Sequence, residues 1–253
     1  MNYFAHLSAA ERYAKYRLHF HPLVIERISQ KLGLAGRVGR ALDVACGTGM
    51  SSVALAEIAE SVIAVDASAE MLAHARQHPR VNYQRGAAEV LPVGNGEFDL
   101  VTVALGFHWF QQERFLAEAR RVLQPGGWLV IYNQGFGGEL REQPLFQNWY
   151  REVYLQRFPS PPRRPAGFSE KLAHAHGFVW QGAETFRHEA KLTTEQFVGG
   201  LLTQSNVIAA VEEGGQTLTD VADWLTGEID RHLVGGAGTF CFGGRIWYAQ
   251  SRA

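Results

Sequence analysis

The chain has 253 residues, enough for one α/β domain with a generous core, or a core plus a cap. Its 24 Lys+Arg against 25 Asp+Glu leave a formal net charge of -1, and the longest basic cluster, Arg163-Arg164, is flanked by prolines rather than carried on a helix, so nothing points to a nucleic-acid partner. The first residues lack a basic head followed by an apolar run and no later stretch approaches the roughly eighteen apolar residues of a membrane span, so a soluble, cytoplasmic protein with no membrane partner is expected.

The two cysteines, Cys46 and Cys241, form neither a disulfide framework nor a metal spacing, and are expected to pack as free thiols. No His/Asp/Glu cluster has ligand spacing, so no metal is expected. Residues 8 to 32 are helical in pattern, with Tyr13, Tyr16 and Arg17 at i, i+3, i+4 and Leu23, Val24, Arg27, Ile28 and Leu32 following Pro22 at a helix start. This segment precedes the first strand and can fold across the top of a sheet as a lid.

Ala41 to Ala45 is apolar except for Asp43, the composition of a strand buried on both faces of a parallel sheet. Cys46-Gly47-Thr48-Gly49 then turns sharply, and Ser51 to Glu57 resumes with helical spacing. Ser61 to Val65 is the next strand, ending at Asp66, 17 residues beyond Gly49. Strand, glycine turn, helix, strand is a nucleotide-binding βαβ unit, and an acid at that strand end can accept from both hydroxyls of a ribose.

After Asp66 a capped helix from Ser68 to about Gln77 is expected, then a short strand at Val81 to Gln84 and a loop over Gly86 to Pro92. Phe98 to Leu105 is a strong β signal running into Gly106-Phe107-His108-Trp109-Phe110, an aromatic cluster at the strand edge where open α/β sheets bind ligands. A helix over Gln112 to Leu123, a stop at Pro125-Gly126-Gly127 and a strand at Trp128 to Tyr132 continue the alternation, which implies a parallel sheet with right-handed crossovers. From Asn133 the rhythm changes. The spacing predicts a long helix over Leu140 to Phe158 with two adjacent aromatic rows, a proline-rich loop over 159 to 165, a short helix at Lys171 to His176 and a strand within Trp180 to Lys191. Helices over Thr194 to Val211 and Thr219 to Leu233 follow, and a closing strand over Thr239 to Gln250 is predicted to break at Gly243-Gly244.

On LDVACGTG, the acidic end of VIAVD, GAAEVLP before FDLV, and VLQPGGWLV, the chain resembles the class I S-adenosylmethionine-dependent methyltransferases. The likeness is greatest to the small-molecule branch that includes quinone C-methyltransferases and trans-aconitate carboxyl methyltransferases; it is strong from Ala41 to about Asn133 and vague beyond. Ser52 in the third small position and Asp43 four residues before Gly47 favour this reading over a nicotinamide oxidoreductase.

The resemblance implies a Rossmann-like α/β fold: a seven-stranded, mostly parallel sheet with helices on both faces, an antiparallel last strand and a helical cap. It also implies one methyltransferase domain over 1–253, with lid helices at 1–35, a donor-binding core at 36–134, a variable helical substrate cap at 135–180 and 192–235, and a closing strand at 239–250. The cofactor would be S-adenosyl-L-methionine, the product S-adenosyl-L-homocysteine and the partner a small-molecule substrate. Ala45, Cys46, Gly47 and Gly49 would lie against the donor, Asp66 would hold its ribose, Ala67 and Met71 would sit beside the adenine, and Ala88 and Glu89 would border the adenine edge. Leu105, His108 and Trp109 would face the methionine and its methyl. Many relatives carry Asp where this chain has Ala87, so one contact to the adenine amino group is in doubt.

Three positions keep two readings. Asp43 either orders the loop by accepting backbone N–H bonds or touches the donor. Tyr16 and Arg17 are either solvated helix positions or part of a lid whose guanidinium meets the donor carboxylate. His108 is either a histidine at a helix start or the group that orients the acceptor or takes its proton, the one candidate catalytic residue. For the acceptor, Arg17, Arg141, Arg163, Arg164 and Arg245 make a small organic acid, methylated on oxygen, the preferred reading; carbon methylation of a quinone-like or other aromatic ring, suited to the aromatic residues of the cap, is the alternative. A protein that binds the donor without catalysis is the remaining alternative.

Overall fold

The protein's architecture comes from a computed structural model that describes residues 7–162, 167–212 and 214–252. It divides into two compact units. A sheet unit gathers residues 19–133, 163–185 and 245–253, and a helical unit gathers 1–18, 134–162 and 186–244.

In the sheet unit, β1 (Val38–Val44), β2 (Ala59–Asp66), β3 (Val81–Arg85), β4 (Phe98–Ala104) and the start of β5 (Leu123–Leu140) pair in parallel. With β6 (Phe178–Thr193) and β7 (Ala237–Ser251) they form a seven-stranded, mostly parallel sheet in the order β3-β2-β1-β4-β5-β7-β6, as expected for a Rossmann-like fold with an antiparallel last strand. β1 lies inside the sheet between β2 and β4, and its Ala41, Leu42 and Asp43 are fully buried. Helices cover both faces of such a sheet, which is why its strands read as continuous apolar runs. The core joins Leu42, Val101, Val103 and Leu129 to Phe115, Leu116, Ala119 and Val122 of α5 (Gln112–Val122), the face its spacing predicts.

Several predicted boundaries move, each for a local reason. The first helical stretch is two helices, α1 (Leu7–Tyr16) and α2 (His21–Leu32), with Pro22 in the first turn of α2 and Gly33 closing it at φ 63°. α3 (Met50–Leu55) follows the glycine turn. α4 spans only Ala69–Ala73: Ser68 accepts the Met71 N–H at 3.1 Å to open it, and the chain then leaves helical geometry so that the Arg76 N–H reaches Thr48 O at 3.1 Å. Pro125-Gly126-Gly127 does not precede β5 but lies inside it, at a register shift against Phe98 and Leu100. β5 continues to Leu140, where a helix was predicted to begin.

That helix forms only from Phe146. It consists of α6 (Phe146–Trp149), a π-helical segment (Tyr150–Tyr154) and α7 (Leu155–Arg157). Phe146, Trp149, Tyr150 and Tyr154 are buried, whereas Leu145, which precedes the helix, is 73% and Val153 40% exposed. Pro159 to Pro162 are irregular, as expected, and the rest of the proline loop, with Arg163 and Arg164, lies outside the described residues. α8 (Glu170–Ala175) returns to the sheet unit. The helix predicted over 194–211 is two, α9 (Thr194–Leu201), opened by a Thr193/Gln196 capping box, and α10 (Ser205–Glu212); between them the Thr203 hydroxyl turns back onto Gly200 O at 2.7 Å. After α11 (Leu218–Asp230), β7 runs unbroken through Gly243-Gly244.

The core of the helical unit is aromatic. Phe197 and Phe240 stack at 3.8 Å and 12°, and Phe136 and Phe146 pack around them. α1 belongs to this unit. Among the described residues no helix is long and apolar enough to cross a membrane.

Candidate functional site

The sheet order reverses between β1 and β4, and ligands of open α/β sheets bind outside the carboxyl ends of the strands at such a point. There the backbone is strained in two places at once. Ala45, just past β1, and Leu105, just past β4, both hold φ 60°, a left-handed conformation that costs a side-chain-bearing residue about 1–2 kcal/mol. Each is locked by a neighbour: the Cys46 N–H donates to Val65 O at 3.1 Å and the Leu105 N–H to Tyr132 O at 2.9 Å. The two loops touch, since a Cβ on Gly106 would come within 2.7 Å of the Ala45 Cβ.

The turn between them needs its glycines. Gly47 and Gly49 adopt φ 55° and 76°, and a Cβ on Gly49 would lie 2.1 Å from the Tyr83 hydroxyl, which donates to Arg76 O at 2.5 Å. Met71 closes the other side, its Cε 3.0 Å from where a Gly47 Cβ would stand. Cys46 is buried inside the turn, and burial pushes its thiol well up, which makes it packing rather than a nucleophile.

Asp66 closes β2 beneath this turn. Its Oδ2 accepts the Gly47 N–H and its Oδ1 the Ser68 N–H, each at 2.8 Å. Burial pushes its carboxyl up, opposed by the Ser68, Gly47 and Ala67 backbone bonds. A carboxylate oxygen has two acceptor positions, so each one keeps a further position for a ligand hydroxyl. Asp43, one strand over and fully buried, is held by hydroxyls: Ser51 at 2.6 Å, Ser52 at 2.7 Å and Thr102 at 3.0 Å. Its carboxyl is pushed up by desolvation, which those three bonds oppose.

Around the same strand ends stand the other expected residues. Ala67 is exposed, with its carbonyl accepting from Arg85 Nε at 3.2 Å; Ala88 is buried; Glu89 Oε1 accepts the Gln111 N–H at 2.7 Å, which ties the GAAEVLP loop to the start of α5. His108 and Trp109 form a half-buried 3-10 turn after Leu105, their rings 4.6 Å apart. Tyr16 and Arg17 belong to the helical unit, where the Tyr16 hydroxyl donates to Glu195 at 3.1 Å and Arg17 Nη1 to Thr203 Oγ1 at 3.4 Å.

Sequence reasoning missed the hydroxyls. Ser51, Ser52 and Thr102 read as ordinary helix and strand residues, and only the register Asp43↔Thr102 brings them to one acid. It also missed a buried pair midway along β5, His21 Nδ1 with the Tyr132 hydroxyl at 2.9 Å.

The residues present fit an adenosyl donor. Asp66 offers two acceptor positions for vicinal hydroxyls, the turn is stripped of side chains where the backbone must approach, and the Thr48 hydroxyl inside it is buried without a partner. Among the described residues no three His, Cys, Asp or Glu side chains group as metal ligands.

Comparison with known proteins agrees. The profile of a family described as "Methyltransferase domain" matches residues 42–131. An uncharacterized methyltransferase of Synechocystis is 37% identical over 116 residues, 44% of this chain and 52% of that protein. A demethylmenaquinone methyltransferase of Renibacterium salmoninarum is 40% identical over 94 residues, 36% of this chain and 40% of that protein. The chain thus spans about half the length of the curated relatives it matches. A solved structure, a candidate type II methyltransferase from Anaeromyxobacter dehalogenans, superposes with a TM-score of 0.70 at 26% identity, covering 91% of this chain and 95% of that one. Motif, switch-point geometry and these matches agree that residues 42–131 are similar to the methyltransferase domain family and that the chain has a methyltransferase-like fold.

Proposed function

We propose that the protein transfers the methyl group of S-adenosylmethionine to a small molecule and releases S-adenosylhomocysteine. The observation that carries this reading is Asp66, fixed by two backbone N–H groups with an acceptor position left on each oxygen. The donor brings a carbon already activated by its positive sulfur, so the chain's task is alignment and exclusion of water, an effect that can supply roughly 7–11 kcal/mol of the barrier. Asp66 and the turn Ala45–Gly49 hold the nucleoside; Leu105, His108 and Trp109 wall the methyl end; His108 orients the acceptor or takes its proton.

For the acceptor, an aromatic, quinone-like ring is the favoured reading over an organic acid. Among the described residues, the arginines that would recognise a carboxylate have other contacts: Arg141 pairs with Glu189, Arg17 donates to Thr203, and Arg245 lies over the Trp247 ring at 5.8 Å, while Arg163 and Arg164 lie outside the described residues. The helical unit is instead lined with aromatic residues, and the Renibacterium relative is by name a demethylmenaquinone methyltransferase.

Titration calorimetry with S-adenosylhomocysteine tests the donor reading: saturable binding is expected, and its absence would sink it. A panel of phenols, hydroquinones and small acids then reads the acceptor. Methylated product excludes a non-catalytic donor-binding role, and ester formation from an acid with no aryl product would overturn the aromatic preference. His108→Ala with near-normal turnover at saturating acceptor would remove His108 as a base.

A further inference from the structure

A cavity of about 400 Å³ within the sheet unit is lined by Arg27, Gln30 and Lys31 of α2, Gly182 and Glu184 of β6, and Tyr248 of β7. Positions 27, 30 and 31 are spaced i, i+3, i+4 and so share one face of the helix. None of these residues belongs to the glycine turn, to Asp66 or to the segment Leu105–Trp109. The hydrogen bonding inside the cavity is uneven. Glu184 is engaged on both oxygens, Oε2 accepting from Arg27 Nη1 at 3.0 Å and Oε1 from the Tyr248 hydroxyl at 2.6 Å. Burial pushes the Tyr248 hydroxyl up from its ordinary range, so it stays protonated and remains the donor in that bond.

Arg27 is engaged on one side only, for its Nε is buried without a hydrogen-bond partner. In a guanidinium Nε–H and Nη2–H point the same way, so the edge they share stays open while Nη1 serves Glu184. That edge is the fork that meets a carboxylate with two parallel hydrogen bonds. An unpaired buried donor is costly, and a ligand oxygen on the fork relieves it. Lys31 supplies charge. Its ammonium lies 5.8 Å from the centre of the Tyr248 ring, and the last turn of α2 does not call on it, because Gln30 O and Ser29 O accept the Gly33 and Leu34 N–H groups. Of the charges lining the cavity, Arg27 is matched by Glu184, and the charge of Lys31 is left over. The β6 wall is bare: Gly182 holds φ 104° with nothing within 4 Å of where a Cβ would stand, an open stretch of backbone against which a flat group can lie.

We propose that this cavity is a binding site for a small organic monocarboxylate with a flat body. The Nε/Nη2 edge of Arg27 takes the carboxylate, Lys31 balances its charge, and the body lies along Gly182. The single charge left over favours a monoanion: the second charge of a phosphate would stand beside Glu184 without a cation of its own. The site is additional to the donor and acceptor sites of methyl transfer and does not depend on that reading.

The test uses the full chain, with benzoate as the probe and inorganic phosphate as the comparison, and follows binding by titration calorimetry and ligand-observed NMR. Wild type is expected to bind one benzoate saturably, with the same affinity whether or not S-adenosylhomocysteine is present at saturation, and to bind phosphate at least about tenfold more weakly. Arg27→Lys keeps a cation for Glu184 and removes the fork; about a tenfold loss of benzoate affinity is expected. Lys31→Gln changes an exposed residue that the fold does not lean on, and should weaken benzoate about two- to fivefold and remove most of the salt dependence of its binding. If Arg27→Lys fails to fold, Lys31→Gln decides by itself. No saturable benzoate binding by wild type, unchanged affinity in the folded variants, phosphate bound as tightly as benzoate, or benzoate displaced by S-adenosylhomocysteine overturns the proposal, and each leaves the donor reading standing. Failure to bind S-adenosylhomocysteine strikes the donor reading and leaves this site untouched.

Discussion

The two units solve the problem of a buried interior in opposite ways. In the sheet unit the decisive contacts are polar and directional: Asp43 under three hydroxyls and Asp66 under two backbone N–H groups, beside two residues held in left-handed backbone. In the helical unit the interior is ring against ring, with Phe240 touching Phe136, Phe146 and Phe197. Hydrogen bonds have direction and hold one geometry, as a site for a fixed nucleoside requires. Aromatic packing fills volume and tolerates several arrangements.

The largest effects should come from breaking each interior in its own currency. Asp43→Ala leaves three buried hydroxyls without an acceptor, at about 1–3 kcal/mol for each one that stays unsatisfied. Phe240→Ala should cost about 3–5 kcal/mol. The contrast lies in the milder variants: Phe240→Leu keeps most of the volume and should cost less than about 1.5 kcal/mol, whereas Asp43→Leu should be no milder than Asp43→Ala. Urea unfolding measures all four, and equal tolerance at the two positions would erase the distinction between the units.

Asp66→Ala comes next. It removes a charged acceptor worth roughly 1.5–3 kcal/mol, so affinity for S-adenosylhomocysteine should fall about ten- to a hundredfold. Unchanged affinity by calorimetry would show that the carboxylate serves only Gly47 and Ser68.

The pH responses should then run in opposite directions. In the helical unit burial lowers His188 and His232 from 6.5, so the unfolded chain takes up those protons first and stability is lost as pH falls below 6.5. In the sheet unit Asp43 and Asp66 are raised from 3.8, so the folded chain holds those protons longer and stability is lost as pH rises through the raised values. Relative to wild type, His188→Gln should flatten the acid-side loss and Asp43→Asn the loss that sets in as pH rises above 3.8. Parallel pH curves for wild type and either variant would refute the assignment for that residue.

The smallest effect belongs to an exposed ion pair of the helical unit. Arg187 and Glu139 are both exposed, and Arg187→Ala should change stability by less than about 1 kcal/mol and fade further in salt. A larger loss would mean that such ion pairs, and not the aromatic packing, hold this unit together.

From the sequence alone the sheet unit was nearly complete, because each of its signals is local. The apolar run Ala41–Val44, the glycines after it and the acid ending Val62–Asp66 all speak within 26 residues, and a strand buried on both faces or a left-handed turn needs no distant partner to be recognised. What only the tertiary structure decided is whatever depends on a register or on competition between neighbours. The helix predicted from Leu140 yields to an extended β5, Leu145 ends up in solvent, and α4 stops early because the Arg76 N–H finds Thr48. Thr102 becomes a ligand of Asp43, and Gln134 the partner of His188, only because strands far apart in the chain are aligned residue by residue. Residue pattern can state which faces are apolar; which atoms then meet is a property of the pairing, and pairing is settled by the whole fold at once.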